Sequence, residues 1–217
     1  MVDEFSRFAR MPKPVMEGED VADTVRQTVF LMRVGHPEID IEADIKHEPM
    51  RAQFDRRLIS QALTNIIKNA AEAIEAVPPE ILGKGRIDVI AAREEDDIVI
   101  DVIDNGVGLP KVARARLLEP YVTTREKGTG LGLAIVGRVL QDHGGKLELN
   151  DASAIKPGAR GAWMRLRFAV AGQANAGTIS KDGATNGDNV TEEETRLRLL
   201  PATDEADPIH GTRHSHC

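Results

Sequence analysis

Three short stretches of this 217-residue chain carry side chains whose types and spacing could do chemistry. The first is Asn65-Ile-Ile-Lys-Asn69-Ala-Ala-Glu-Ala-Ile, inside an apolar periodicity that predicts a helix from about Asp55 to Val77, closed by Pro78-Pro79. Helical residues advance by about 100°, so Asn65, Asn69 and Glu72 share a narrow polar face while Leu63, Ile66, Ile67, Ala70 and Ile74 fill the other side. An amide oxygen can ligate a hard cation such as Mg2+, and an amide NH2 can donate to a phosphate oxygen. The pair could therefore hold a metal-nucleotide; a solvated polar face on an amphipathic helix is the competing reading.

The second stretch, Asp104-Asn105-Gly106-Val107-Gly108-Leu109-Pro110, directly follows the strand pattern IVIDVI. A carboxylate ending a buried strand can accept a hydrogen bond from an exocyclic amine, and Gly106 and Gly108 would let backbone approach a flat ring. Adenine would suit that geometry, although Asp-Asn-Gly is also ordinary turn chemistry. The third stretch, Lys127-Gly128-Thr129-Gly130-Leu131-Gly132-Leu133, stands before a helix pattern. Its backbone N–H groups and the positive end of the helix would favour an anion, and phosphates fit. A Walker loop is excluded because the closing Gly-Lys-Ser or Gly-Lys-Thr is missing, and a Rossmann turn because EPYVTTREK is polar loop rather than strand.

Elements must position these stretches. EDVADTVRQTVFLMRV predicts a helix with Val21, Val25, Val29 and Met32 on one face. IDIEADI alternates as a strand with Ile39, Ile41, Ala43 and Ile45 inward, and RIDVIAAR and DIVIDVID pair across an acidic turn. A loop-rich stretch from Asn105 to Gly130 precedes the helix LGLAIVGRVLQDH, stopped at Gly144-Gly145, and KLELN and GAWMRLRFAV close the domain as strands. The order predicts an α/β, α+β two-layer sandwich: one mixed sheet with helices on one face.

Composition bounds the rest. The formal charge of -7 and an aromatic content of 3% argue against nucleic-acid binding or attachment to an acidic membrane through net charge. Cys217 is the only cysteine and no apolar run approaches the roughly 20 residues of a membrane span, so a cytoplasmic setting is expected. Residues 1–11 show near-helical spacing of Val2, Phe5, Phe8 and Ala9 before Pro12 and Pro14, which reads as a helix end. Residues 171–217 hold no Phe, Tyr or Trp and eight acids against four bases, which reads as a disordered acidic tail.

In order along the chain, these stretches resemble one family, the catalytic ATP-binding domain of bacterial sensor histidine kinases, within the superfamily that includes gyrase, Hsp90 and MutL. Asn65 to Ala70 resembles the N box, Asp104 to Gly108 the first glycine box, and Glu119-Pro-Tyr-Val-Thr-Thr-Arg the F-box region of the ATP lid. Gly128 to Leu133 resembles the second glycine box, and Gly158-Ala-Arg-Gly161-Ala-Trp a final one. Within the family, MVDEFSRFARMPKP and EPYVTTREKGTGLGLAIV are most similar to the nitrogen-regulation kinases of the NtrY type. The resemblance covers about residues 15–169 and implies a Bergerat-type (GHKL) fold, with domains at 1–14 (the end of a dimerisation and phosphoacceptor helix), 15–170 (the ATP-binding domain) and 171–217 (the tail).

The resemblance also implies roles. Asp104 receives the adenine amino group, with Ala73, Gly106 and Gly108 around the ring; Asn69 ligates Mg2+; and Asn65 positions the phosphates as the catalytic amide. Lys127, Gly128, Thr129, Gly130, Leu131 and Gly132 line the phosphates, and Pro110 to Lys127 form a lid. The implied partner is the kinase's own dimerisation and phosphoacceptor domain, and through it a response regulator. Neither nucleic acid nor membrane contact is expected of this stretch, and it should be mostly monomeric and unable to phosphorylate itself alone. The parent protein would be anchored in the inner membrane.

Departures are also present. Tyr121 stands for the F-box phenylalanine and could still act as an aromatic latch, Ala162-Trp163 replace the Thr and Phe of many relatives, and Ala73 stands where some carry an aromatic. His47-Glu48-Pro49 mimics the start of a phosphoacceptor box, but proline disfavours the helix that box needs. His143 is expected to cap a helix end, where a cation is favoured. His210, His214, His216 and Cys217 could bind a metal only as a tail cluster. Two other functions compete: a self-sufficient ATPase or serine kinase of the same fold, disfavoured because an amide at position 65 is a poor general base, and a degenerate docking module.

Overall fold

The computed structural model describes residues 11, 13–111, 114–123 and 128–171. The expectations for residues 1–10, for Lys127 and for the tail from 172 onward lie outside the described residues.

The alternating apolar segments become a five-stranded sheet. Its strands are β2 (Asp40–Ile45), β4 (Arg86–Glu94), β5 (Asp97–Asp104), β6 (Lys146–Asp151) and β7 (Ala162–Ala169), in the order β2-β4-β5-β7-β6. Only β2 and β4 run parallel; the other neighbours are antiparallel, so the sheet is mixed, as the patterning predicts, and mostly antiparallel. Period-2 alternation places Ile87, Val89 and Ala91, then Ile98, Ile100 and Val102, then Met164, Leu166 and Phe168 on one face, all buried. Three helices cover that face: α1 (Val21–Gly35), α2 (Arg56–Glu75) and α4 (Gly132–Asp142), with α2 packed against both of the others.

The opposite face is closed by charge. In register with Arg165, Asp101 accepts two bonds from its guanidinium at 2.8 Å each, and a third from the Trp163 indole N–H at 2.6 Å. The guanidinium also lies 5.1 Å from the Trp163 ring centre. Arg167 extends the row to Asp97 and Glu94 at 3.0 and 2.7 Å.

Each long helix starts at an aspartate cap. Asp20 accepts the Ala22 N–H at 2.9 Å and the Met50 N–H at 3.2 Å, which starts α1 two residues later than the apolar pattern alone suggests. Asp55 accepts from Leu58 at 3.1 Å and, through its other oxygen, from Val15 at 3.0 Å, so the chain arriving from residue 11 is held at the start of α2. Burial alone would raise the Asp55 carboxyl, but these two backbone bonds and nearby Arg57 outweigh it and hold the group below the usual carboxylate range.

Sequence reading missed three elements: β1 (Glu17–Asp20), which pairs antiparallel with β3 (Arg51–Phe54), and the single turn α3 (Pro79–Leu82). Four-residue segments are too short to show a period, and the proline that ends α2 also begins α3. His143 requires a correction. It occupies the C-cap of α4 as expected, but it is 1% exposed and its Nε2 accepts the Asp55 backbone N–H at 3.0 Å while Nδ1 lies 2.7 Å from the Val139 carbonyl. That pairing needs the neutral Nδ1–H tautomer, so the ring is an uncharged bridge between α4 and the start of α2 rather than a cation.

Asp55→Ala should lower unfolding stability by about 1–2 kcal/mol in urea denaturation at pH 7, the range for lost N-caps. Because the folded carboxyl is depressed, the wild-type advantage is complete above the ordinary carboxylate value and disappears as pH falls through the lowered one.

Candidate functional site

A cavity of about 710 Å³ opens between α2, the start of α4 and the end of β5, within the range of small-molecule sites. It gathers nearly every residue singled out from sequence: Asn65, Asn69, Ala73, Asp104, Gly108, Gly128, Thr129, Gly130, Leu131 and Gly132 line it. Gly106 lies beneath, and Lys127 is outside the described residues.

Asp104 is the last residue of β5 and continues the inward row Ile98, Ile100, Val102, so the sheet carries its carboxyl into the apolar layer, 3% exposed. Oδ1 accepts the backbone N–H groups of Gly106 at 2.8 Å and Ala162 at 3.3 Å, and Oδ2 has no partner among the described residues. Desolvation pushes the group up to about 6 against the two backbone bonds. An ionised acceptor oxygen beside an apolar wall suits a planar ligand that brings its own N–H donor.

Two glycines make this placement possible. A Cβ on Gly106 would come within 2.5 Å of the Ala73 backbone, where the Val107 N–H already meets the Ala73 carbonyl at 3.0 Å. A Cβ on Gly161, at φ +103°, would fall 1.9 Å from the Asp104 carbonyl oxygen. Ala73 thus works through its backbone and small size, seating the glycine loop on α2. Trp163 points to the outer face, so the box residue at the cavity wall is Ala162.

Across the cavity, α4 begins at Leu131 with no side-chain cap and no acid in its first turn. Its opening N–H groups are available to an anion, in line with the reading of the glycine run. Asn65 reaches this start from α2, with Nδ2 3.5 Å from the Gly132 carbonyl, and a Cβ on Gly132 would meet the Asn69 amide at 3.9 Å. The two amides therefore face the helix start, one turn apart. This donor set fits a hard cation shared with phosphate oxygens, because amide oxygens can ligate while the helix start takes the negative charge.

Part of the stretch read as a lid is described. The 3-10 turn Arg114–Leu118 is tied down by Arg114, which donates to both Asp151 oxygens at 2.7 Å and to the Pro110 carbonyl at 3.2 Å. Tyr121 adopts φ 68° and its N–H meets the Gly130 carbonyl at 3.1 Å. The residue is 58% exposed. His47 lies exposed in the loop between β2 and β3, as its proline neighbour predicts. Sequence reading did not single out Lys68, Leu117 or Met164, all on the cavity wall; Lys68 lies about 60° round the helix from Asn65, a signal that the periodicity did contain.

Residues 54–172 match the model of the histidine kinase-, DNA gyrase B- and HSP90-like ATPases. The chain belongs to that ATPase family. As a family member it is 62% identical over 185 residues to the nitrogen regulation protein NtrY of Azorhizobium caulinodans, covering 85% of this chain and 23% of that protein. Full-length ShkA in complex with AMPPNP superposes with a TM-score of 0.64 at 27% identity, over 79% of this chain and 36% of ShkA. The mycobacterial sensor histidine kinase MprB gives 0.59 at 26%, over 71% and 97%. The fold is therefore that of histidine-kinase ATP-binding domains, and the kinases among its relatives do not favour the free-standing ATPase, serine-kinase or docking-module alternatives. The chain spans about a quarter of the length of the NtrY and NtrY-like relatives.

Below the ordinary carboxylate value Asp104 is protonated whether folded or unfolded, and no charge is buried. Above about 6 it is ionised in both, and the folded state bears the desolvation. Stability should therefore fall as pH rises between these values, by about 3 kcal/mol. Asp104→Asn keeps the acceptor for Gly106 and Ala162, so the ligand-free variant should be more stable than wild type at pH 7 and lose this pH dependence in thermal and urea unfolding.

Proposed function

We propose that this chain binds Mg-ATP and presents the γ-phosphate to a histidine on a dimerisation domain, as the catalytic part of an NtrY-type sensor kinase. The observation that carries the reading is the opposition, across one cavity, of the open Asp104 Oδ2 and the uncapped start of α4, with Asn65 and Asn69 beside that start.

Each residue then has a task. Asp104 Oδ2 accepts the adenine amino group while Gly106, Gly108 and Ala73 keep the backbone close to the ring. The N–H groups around Gly128 to Gly132 hold phosphate oxygens, with Thr129 and Leu131 bordering the same chain, and the family resemblance assigns Lys127 to the same group. Asn69 offers an amide oxygen to Mg2+, which would supply charge neutralisation on the phosphates when bound. Asn65 orients the phosphates and, being an amide, does not activate water, which favours transfer to an incoming nucleophile over hydrolysis. Phosphoryl transfer depends mostly on positioning and charge stabilisation, and these residues provide both.

In this reading residues 15–170 form the nucleotide-binding domain, partnered by its own phosphoacceptor domain and, downstream, by a response regulator. Among the described residues no helix is long and apolar enough to cross a membrane. The domain works at the cytoplasmic side of an anchored parent, as a monomer when separated from the dimerisation helices, and does not phosphorylate itself.

Calorimetric titration with ATP and Mg2+ tests the reading. Asp104→Ala should weaken ATP by at least about tenfold, the scale of losing a charged hydrogen bond. Asn69→Ala should abolish the Mg2+ dependence and leave nucleotide binding itself measurable. Binding to wild type should strengthen from pH 5 to pH 7, because an amine donates a stronger hydrogen bond to an ionised carboxylate and Asp104 ionises at about 6. Failure of the folded wild-type chain to bind any nucleotide would overturn the proposal.

A further inference from the structure

The proposed site holds a polyanion, yet two of its charged wall residues, Glu72 and Asp104, are acids. Among the described residues that line the cavity, Lys68 is the only cation. It sits on α2 between Asn65, one turn before, and Glu72, one turn after, and its side chain is exposed. A lysine four residues before a glutamate on a helix is within reach of it, although this is the weaker of the two orientations. Here no ion pair joins Lys68 to Glu72, and Lys68 has no hydrogen-bond partner among the described residues.

We infer that Lys68 is a phosphate-binding residue of this site: its ammonium group, carried on the same helix as the two amides, contacts the terminal phosphates of the bound nucleotide. This inference rests on the nucleotide reading above and adds a residue and a specificity to it. An ammonium is a compact point charge on a four-carbon stem, suited to a phosphate group whose exact orientation is set by other donors. Its place on α2 matters. Asn65, Lys68 and Asn69 are carried on one helix, so the lysine stem springs from the same backbone that places the two amides. The consequence is discrimination by phosphate number: Lys68 should add to the binding of ATP and ADP and be indifferent to adenosine.

The test is titration of wild type, Lys68→Ala, Lys68→Arg and Lys68→Glu with adenosine, ADP and ATP, each at low and high ionic strength, alongside thermal unfolding without ligand. The exposed position predicts an unchanged unfolding midpoint for Lys68→Ala. ATP affinity should fall about tenfold in Lys68→Ala, as for a lost charge-assisted bond, further in Lys68→Glu, and recover in Lys68→Arg. The difference should shrink at high salt, and adenosine affinity should not change. Equal losses for adenosine and ATP, or no loss for ATP, would overturn the assignment while leaving the nucleotide site intact. A wild-type chain that binds neither adenosine nor ATP would remove the site and this inference together.

Discussion

A carboxyl group in the apolar layer of the sheet is the constraint on which the rest of the site depends. Asp104 continues a row of Ile98, Ile100 and Val102, a position that sequence patterning reserves for hydrocarbon. Burial there is unfavourable for the ionised form, and only the Gly106 and Ala162 N–H groups offset it. Both donors reach Oδ1 because the chain passes close on either side, and both approaches exclude a Cβ, at Gly106 against α2 and at Gly161 against the Asp104 carbonyl. The first and last glycine motifs, more than 50 residues apart, are thus two halves of one support for a single oxygen, leaving the second oxygen to a ligand.

The other half of the cavity is organised by two helices. α2 and α4 are joined at one end through Asp55 and His143, and toward the other they converge at Gly132, where Asn65 touches the start of α4. The neutral imidazole is what allows that joint. A protonated ring would have two donors and no acceptor for the Asp55 N–H, so the buried bridge works only in its uncharged form. Its position lets α4 begin without a capping side chain: the helix is anchored at its far end and by apolar packing of Val136, Val139 and Leu140, leaving its first turn open.

Much of this was legible in the residues. The spacing of Asn65 and Asn69 identifies one helical face whatever the surroundings, alternation through DIVIDVID points Asp104 inward, and glycine runs before an apolar helix announce an open helix start. The main sheet and three principal helices followed from periodicity for the same reason. What escaped was set by tertiary contact. The β1-β3 ribbon has no period to detect, and its ends are fixed by pairing and by the bond from Gln53 to the Val170 carbonyl. The tautomer of His143 depends on an N–H 88 residues away in sequence. Lys68 resembles any solvated lysine until the cavity forms beside it, and the exposure of Tyr121, matched by type to an aromatic latch, is set by the fold of the loop around it.

The sheet ends at β2, whose outer edge has no neighbouring strand among the described residues. Its inner-face side chains are Ile41, Ala43 and Ile45, and the intervening positions are Asp40, Glu42 and Asp44, each bridged to a cation, Lys84, Arg86 and Lys46 in turn. A second copy adding edge to edge would have to crowd this row of ion pairs against its own copy, and charged side chains along an edge strand disfavour such pairing. The same alternation that buries the isoleucines thus lines the open edge with charge, one of the devices by which sheets resist edge-to-edge growth.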